Sequence, residues 1–304
     1  MPIAQLGIHL LLMLLLPPLL LGIIVKTKAA LAGRVGAPLL QPYYDLAKLL
    51  RKDVVLSTTT SFMFRLGPAV GFVTAVLAGL LVPLGYERGP IAFAGDLVFF
   101  AYLFGLGRFF TVLSALDTGS SFEGMGGARE ATFACLAEPA LFLGLLVLAK
   151  RASSLSLSGM LGGAPSGAWQ GAPAPLVLVA ISLFIVVLAE NSRVPVDDPK
   201  THLELTMIHE VMVLDHSGPP LGMILYGAAI KLFVLGAVLV RTAIPFATGS
   251  VWGDWGLFVL AMAGFAVLIG LVESSMARLQ LSHVPSLLVA ACLLSAFGVI
   301  LLAR

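Results

Sequence analysis

A chain of 304 residues that is 59% hydrophobic and only 11% charged, with a mean hydropathy of +1.03, is not composed like a soluble globule. Soluble domains carry about 25% charged residues, and their folded surface must still face water. The net charge of +2 is no footprint for nucleic acid, and Cys135 and Cys292 lie in separate apolar stretches without metal-ligand spacing.

Lipid is the solvent this composition suits, and in lipid only helices and closed barrels satisfy every backbone group. Apolar runs fall at 3–25, 63–84, 96–116, 130–149, 174–190, 221–241, 255–273 and 284–303. They are about 20 residues long and unalternated, which selects helices over the shorter alternating strands of a barrel. The expectation is an all-α polytopic membrane protein of about eight spans, one integral membrane domain over 1–304. Pro17 and Pro18 should kink the first span. That span is too long for a signal-peptide core and has no basic stretch before it, so it reads as a retained helix.

After the first span, segment 40–52 sets Tyr43, Leu46, Ala47, Leu49 and Leu50 opposite Lys48, Arg51 and Lys52. That spacing predicts an amphipathic helix in the interface, either a basic anchor or the wall of a surface cavity. Gly67 and Gly71 form a GxxxG that permits close helix approach. Segment 117–129 reads as a short charged loop with Asp117, Glu123 and Arg129. Segment 152–173, rich in Ser, Gly, Ala and Pro, reads as a flexible connection without chemistry.

Segment 190–218 is denser in charge. Pro195 and Pro199 break structure, and Thr201 with Glu204 makes a capping box. His202, His209 and His216 follow at intervals of seven. No HExxH is present and no cysteine is near, so docking or proton entry suits the segment better than a metal.

The connections alternate in charge. The side holding segments 26–62, 117–129, 191–220 and 274–283, together with Arg65 at the mouth of the second span, collects eleven of the 18 Lys and Arg, against five opposite. The positive-inside rule puts the richer side in the cytoplasm and both termini outside. No internal repeat is evident, which counts against a transporter built of symmetric halves.

A charge at mid-bilayer costs at least about 2.5–3.5 kcal/mol on insertion scales, so intramembrane charges mark function or packing. The set here is Arg108, Glu130, Glu138, Glu190, Lys231 and Glu273. Structural ion pairing would explain such a set; so would a proton or ion path, because burial moves carboxylate and amine titration toward neutrality. Glu130 and Glu138 lie two turns apart on one helix, near enough to line one path at two depths.

Two loop motifs carry a family resemblance. Gly33-Arg34-Val35-Gly36-Ala37-Pro38-Leu39-Leu40-Gln41-Pro42, with Asp45-Leu46-Ala47-Lys48-Leu49-Leu50 and Lys52-Asp53, resembles the first loop of NADH dehydrogenase subunit 1 of respiratory complex I. Glu190-x-x-Arg193-x-Pro195-x-Asp197 resembles that family's Glu-x-x-Arg-x-Pro-Phe-Asp motif, with Val196 in place of Phe. The continuation from Asp198 to Glu210, and Ser121 to Glu130, resemble more closely the membrane subunit of energy-converting [NiFe] hydrogenases of the formate hydrogenlyase and hydrogenase-4 type.

The resemblance spans the chain. It implies a non-catalytic subunit joining a soluble electron-transfer arm to proton or ion translocation in the membrane, in the cytoplasmic (inner) membrane. It implies partners: hydrogenase large and small subunits, an iron-sulfur subunit and antiporter-like membrane subunits. Iron-sulfur clusters and a nickel-iron centre would sit in those partners, with no cofactor in this chain. By position, Glu130, Glu138 and Glu190 would line the glutamate channel. Arg34, Asp45, Lys48, Asp117, Glu123, Arg193, Asp197, Asp198, Glu204 and Glu210 would meet the soluble arm. The alternatives are the quinone-site subunit of an NADH:quinone oxidoreductase and, from another class, a stand-alone secondary transporter.

Overall fold

The computed structural model describes residues 3–85, 88–162, 173–197, 207–244, 248 and 250–303. Its elements are α1 (Ile3–Leu31), α2 (Gln41–Leu50), α3 (Phe62–Leu81), α4 (Asp96–Asp117), α5 (Ser121–Ala152), α6 (Leu157–Leu161), α7 (Pro173–Glu190), a 3₁₀ turn (Glu210–Val213), α8 (Gly218–Ala243), α9 (Val251–Ser275) and α10 (Val284–Leu301). All but α2, α6 and the 3₁₀ turn are long and apolar enough to cross a membrane, which gives eight spans among the described residues. The protein is a multi-pass helical membrane protein.

α8 is the axle. It packs against α1, α3, α7 and α9, and residues Ala229, Ile230 and Leu232–Thr242 are buried. A helix apolar on every side is one that neighbours cover on every side. Around it, α3 pairs with α4, α10 with α5 and α7, and α1 with α9. Lipid tails are as apolar as leucine, so these contacts rest on close van der Waals fit rather than on escape from water.

The glycines show that fit. A Cβ added at Gly67 would lie 2.7 Å from Ser114 Cβ and 3.0 Å from the Phe110 carbonyl; at Gly107 it would lie 2.6 Å from Thr74 Oγ1. The first glycine of the GxxxG therefore seats α3 directly on α4. Their ends on the basic side are tied as well. Asp117 accepts from Ser61 N (2.7 Å), Ser61 Oγ (2.8 Å) and Phe64 N (3.1 Å), which occupies amides that the first turn of α3 leaves without helical partners.

α1 stays helical through Pro17 and Pro18. Pro18 has no N–H to give the Leu14 carbonyl. Tyr226 of α8 supplies the missing donor at 2.6 Å, and Tyr43 of α2 donates to the neighbouring Leu15 carbonyl. The amphipathic segment thus forms the expected helix, α2, and packs on α1 and α8.

Two boundaries differ from the sequence reading. α5 begins at Ser121, not near 130, so Glu123 and Arg129 lie on a helix of 32 residues. At 1.5 Å per residue it is about 48 Å long, well beyond a hydrocarbon core of about 30 Å. The polar first turns leave no hydropathy signal, but Ser120-x-x-Glu123 has the spacing of a helix start. The second difference is in segment 152–173, which was expected to be flexible throughout. Asp96 accepts from Leu157 N (2.6 Å) and Ser156 Oγ (2.8 Å) and so fixes α6, while Arg241 donates to the Leu161 carbonyl at 2.6 Å.

Candidate functional site

Arg108 sits nine residues before the end of α4, about 14 Å along the axis from Asp117. Its guanidinium engages three carboxylates. Nε donates to Glu130 at 2.9 Å, Nη1 to Glu138, and Nη2 to both oxygens of Glu190 at 2.5 and 2.6 Å. Glu130 and Glu138 come from α5, and Glu190 ends α7. Lys231 of α8 pairs with Glu190 Oε2 at 2.6 Å. Five of the six intramembrane charges read from sequence therefore meet in one cluster. Arginine's planar fork of five donors suits several carboxylates at once.

The cluster is graded in exposure. The Glu130 and Glu190 side chains are 8% and 6% accessible, whereas Glu138 is 46% accessible on the outer face of α5.

Glu273, the sixth charge, stands apart, bound by Lys28 of α1 at 2.7 Å and by Arg193 at 3.3 Å. Asp197 is turned inward and buried. Its Oδ1 meets Arg278 at 3.0 Å, and its Oδ2 accepts from Ile208 N (3.2 Å) and His209 N (3.3 Å). Leu279 N donates to the Pro195 carbonyl at 2.9 Å. The loops after α7 and α9 are thus fastened to each other. Burial pushes the Asp197 carboxyl up, but the charge and main-chain N–H of His209, with Arg278, outweigh burial and hold it below the usual carboxylate range.

His209 joins this loop assembly to the cluster. Its Nε2 lies 2.9 Å from Glu130 Oε2, and its Nδ1 lies 3.8 Å from Asp197 Oδ2. The ring N–H directions miss hydrogen-bond alignment, so the link is one of charge. Burial opposes the imidazolium, but Glu130 and Asp197 prevail and raise the His209 pKa to about 9.

The sequence singled out His209 only as one of three histidines at equal spacing, and that spacing does not gather them. His216 stacks on Phe64 at 3.9 Å and contacts Ser114 Oγ at 3.2 Å; burial lowers its pKa to about 4. His202, Asp198 and Glu204 lie outside the described residues. Among the described residues, no group of three His, Cys, Asp or Glu is placed to hold a metal ion.

The remaining loop residues are spread out. Arg34, Asp45 and Lys48 are exposed, and Asp45 accepts from Gln41 Nε2 at 2.9 Å. Glu123 is buried and accepts from Asp215 N at 3.1 Å. Asp117 ties α3 to α4, and Glu210 is half-buried.

A cavity of about 660 Å³ opens beside the cluster, the size of a small-molecule pocket. Its walls are largely apolar, from Pro18 and Leu21 of α1, Leu46 of α2 and Leu232 of α8. Arg108, Glu130, Glu190, His209 and Lys231 also line it. α2 is therefore a wall of a cavity.

An eight-span helical bundle with a charge cluster at its basic end defines a class of membrane subunit, and the comparisons agree. The family model described as NADH dehydrogenase matches residues 4–304, and the chain belongs to that family, of the complex I subunit 1 type. It is 34% identical to hydrogenase-4 component C of Escherichia coli over 77% of this chain and 73% of that protein. It is 33% identical to formate hydrogenlyase subunit 4 of the same organism over 88% of each. In fold it resembles a chain of the membrane-bound sulfane sulfur reductase, an archaeal respiratory membrane complex. The TM-score is 0.81 at 19% identity, over 97% of this chain and 98% of that one.

Proposed function

We propose that the chain is the membrane subunit of an energy-converting [NiFe]-hydrogenase-type complex, linking a soluble electron-transfer arm to proton or ion translocation. The observation that carries this reading is the unbroken run of charge contacts from Arg278 and Asp197 in the loops, through His209, to Glu130, Arg108, Glu138, Glu190 and Lys231 within the spans. A partner that moved the loops would change the charges the spans feel. The similarity to hydrogenase-4 component C and formate hydrogenlyase subunit 4 favours hydrogenase partners. These would be large and small subunits with a nickel-iron centre, an iron-sulfur subunit and antiporter-like membrane subunits. The half-exposed Glu138 suits a contact with a further membrane subunit. In this reading the basic side faces the cytoplasm, both termini face out, and the membrane is the cytoplasmic one.

The cavity favours a second reading, the quinone-site subunit of an NADH:quinone oxidoreductase. Its volume and apolar walls fit a quinone, with His209, Arg108 and Lys231 available to a carbonyl oxygen.

Purification of the chain from native membranes, followed by mass spectrometry, tests the proposal. Co-purification with nickel-iron and iron-sulfur proteins is the expected result. Flavin-containing, NADH-oxidising partners would favour the second reading, and isolation of the chain alone would overturn both.

A further inference from the structure

The charges that the spans bring to the cluster do not balance by themselves. Arg108 and Lys231 face Glu130, Glu138 and Glu190, two cations against three carboxylates. The third cation comes from outside the spans. It is His209, whose Nε2 stands 2.9 Å from Glu130 Oε2, while Arg108 engages the other oxygen of that carboxylate.

We propose that His209 is the removable positive charge that keeps the intramembrane carboxylates ionised, and that withdrawing it loads one solvent proton onto them. This rests on the coupling function proposed above and names the residue through which the loop acts.

The geometry gives His209 that independence. It belongs to no span. It lies between the 3₁₀ turn and Asp197, and its main-chain N–H is held by the Asp197 carboxylate. Arg278, from the loop after α9, holds that carboxylate from the other side, and Arg129 of α5 donates to the Met207 carbonyl at 2.8 Å. Motion of either loop therefore moves the imidazolium. Arg108 and Lys231 cannot respond in this way, because both project from spanning helices.

The groups facing His209 are Glu130 of α5, Asp197 of the loop after α7, and Lys231 of α8, which repels it; Glu210 adjoins it in sequence. Glu130 and Asp197 together outweigh Lys231 and keep the imidazole protonated at neutral pH. With His209 in place the cluster is neutral. With it withdrawn, one negative charge is unbalanced in a medium where that is costly. Uptake of a proton by a carboxylate restores neutrality: the proton comes from solvent at the basic end, and its return re-admits His209. His209 is a positioning residue for charge, not a catalytic one.

Infrared spectroscopy of the purified complex tests this without turnover, so a complex that failed to move ions would sink the coupling reading and leave this test intact. At pH 7, His209→Gln should show one protonated carboxyl per chain that is absent from wild type and from His209→Lys. Adding Glu130→Gln to His209→Gln should remove it. The reciprocal variant, Glu130→Gln alone, leaves the spans balanced. The imidazole of His209 should then be neutral at pH 7 by nitrogen NMR of labelled histidine. The proposal is overturned by a His209→Gln complex with no added protonated carboxyl, by a His209→Lys complex that gains as much, or by a His209 that stays cationic in the Glu130→Gln complex.

Discussion

At the scale of single residues, the outcome turns on how many partners each charge has. Arg108 answers three carboxylates, so Arg108→Leu leaves them facing one another. Breaking a buried ion pair by removing one partner costs about 3–5 kcal/mol, and the detergent-solubilised variant should lose that much in denaturant unfolding. Arg108→Lys should lose less but still fall short of wild type, because an ammonium is a point charge and cannot span the same three partners. The pH dependence has a definite sign. The His209 pKa rises from 6.5 to about 9 on folding, so its stabilisation is fully present below pH 6.5 and is lost as pH rises through about 9. His216 works in the opposite window. Its pKa falls from 6.5 to about 4, and the native state loses stability as pH drops from 6.5 toward 4. The thermal midpoint should therefore peak between these windows.

Of this residue-scale picture, the sequence exposed the charges but not their grouping. Arg108, Glu130, Glu138, Glu190 and Lys231 were visible because each interrupts an apolar run. That Glu273 belongs with Lys28 and Arg193 was not visible, since its partners come from α1 and a loop far away in sequence. His209 was hidden for the same reason. Its meaning depends on Glu130, 79 residues earlier, and on Asp197 folding back toward it.

At the scale of elements, hydropathy located the eight spans, because burial in lipid imposes one length on all of them. It failed where a helix runs out of the bilayer, as at the first turns of α5, and where a short helix is fixed by hydrogen bonds alone, as in α6. The contact between α3 and α4 offers a test of packing. Gly67→Val would drive a branched side chain into Ser114 and the Phe110 carbonyl. Overpacking of this kind costs about 1–3 kcal/mol, and the variant should unfold at lower temperature in detergent. The double proline of α1 offers a milder test. Tyr226→Phe deprives the Leu14 carbonyl of its donor and should cost about 1 kcal/mol, the scale of interhelical hydrogen bonds in lipid. Such a loss would be read as a small downward shift in the same thermal scan.

At the scale of the molecule, one end is worked and the other is plain. The end where α4 and α7 finish gathers the charge cluster, the cavity, α2 and the fastened loops. The opposite end holds α6, latched by Asp96 and Arg241. The coupling role proposed above requires such an asymmetry, with one face to receive a signal and spans to pass it into the membrane. Single cysteines placed at position 4 and at position 119, probed with an impermeant thiol reagent in intact cells, should label only at position 4 if the worked end faces the cytoplasm.

The most direct measurement of the central claim is ion uptake by the intact complex in sealed vesicles, with electron transfer followed in the same sample. In wild type the two should run together. With Glu130→Gln, electron transfer through the soluble partners should continue while ion uptake is lost, because His209 of the loop no longer faces a carboxylate of the cluster. A Glu130→Gln complex that takes up ions as fast as wild type at the same rate of electron transfer would contradict the coupling role.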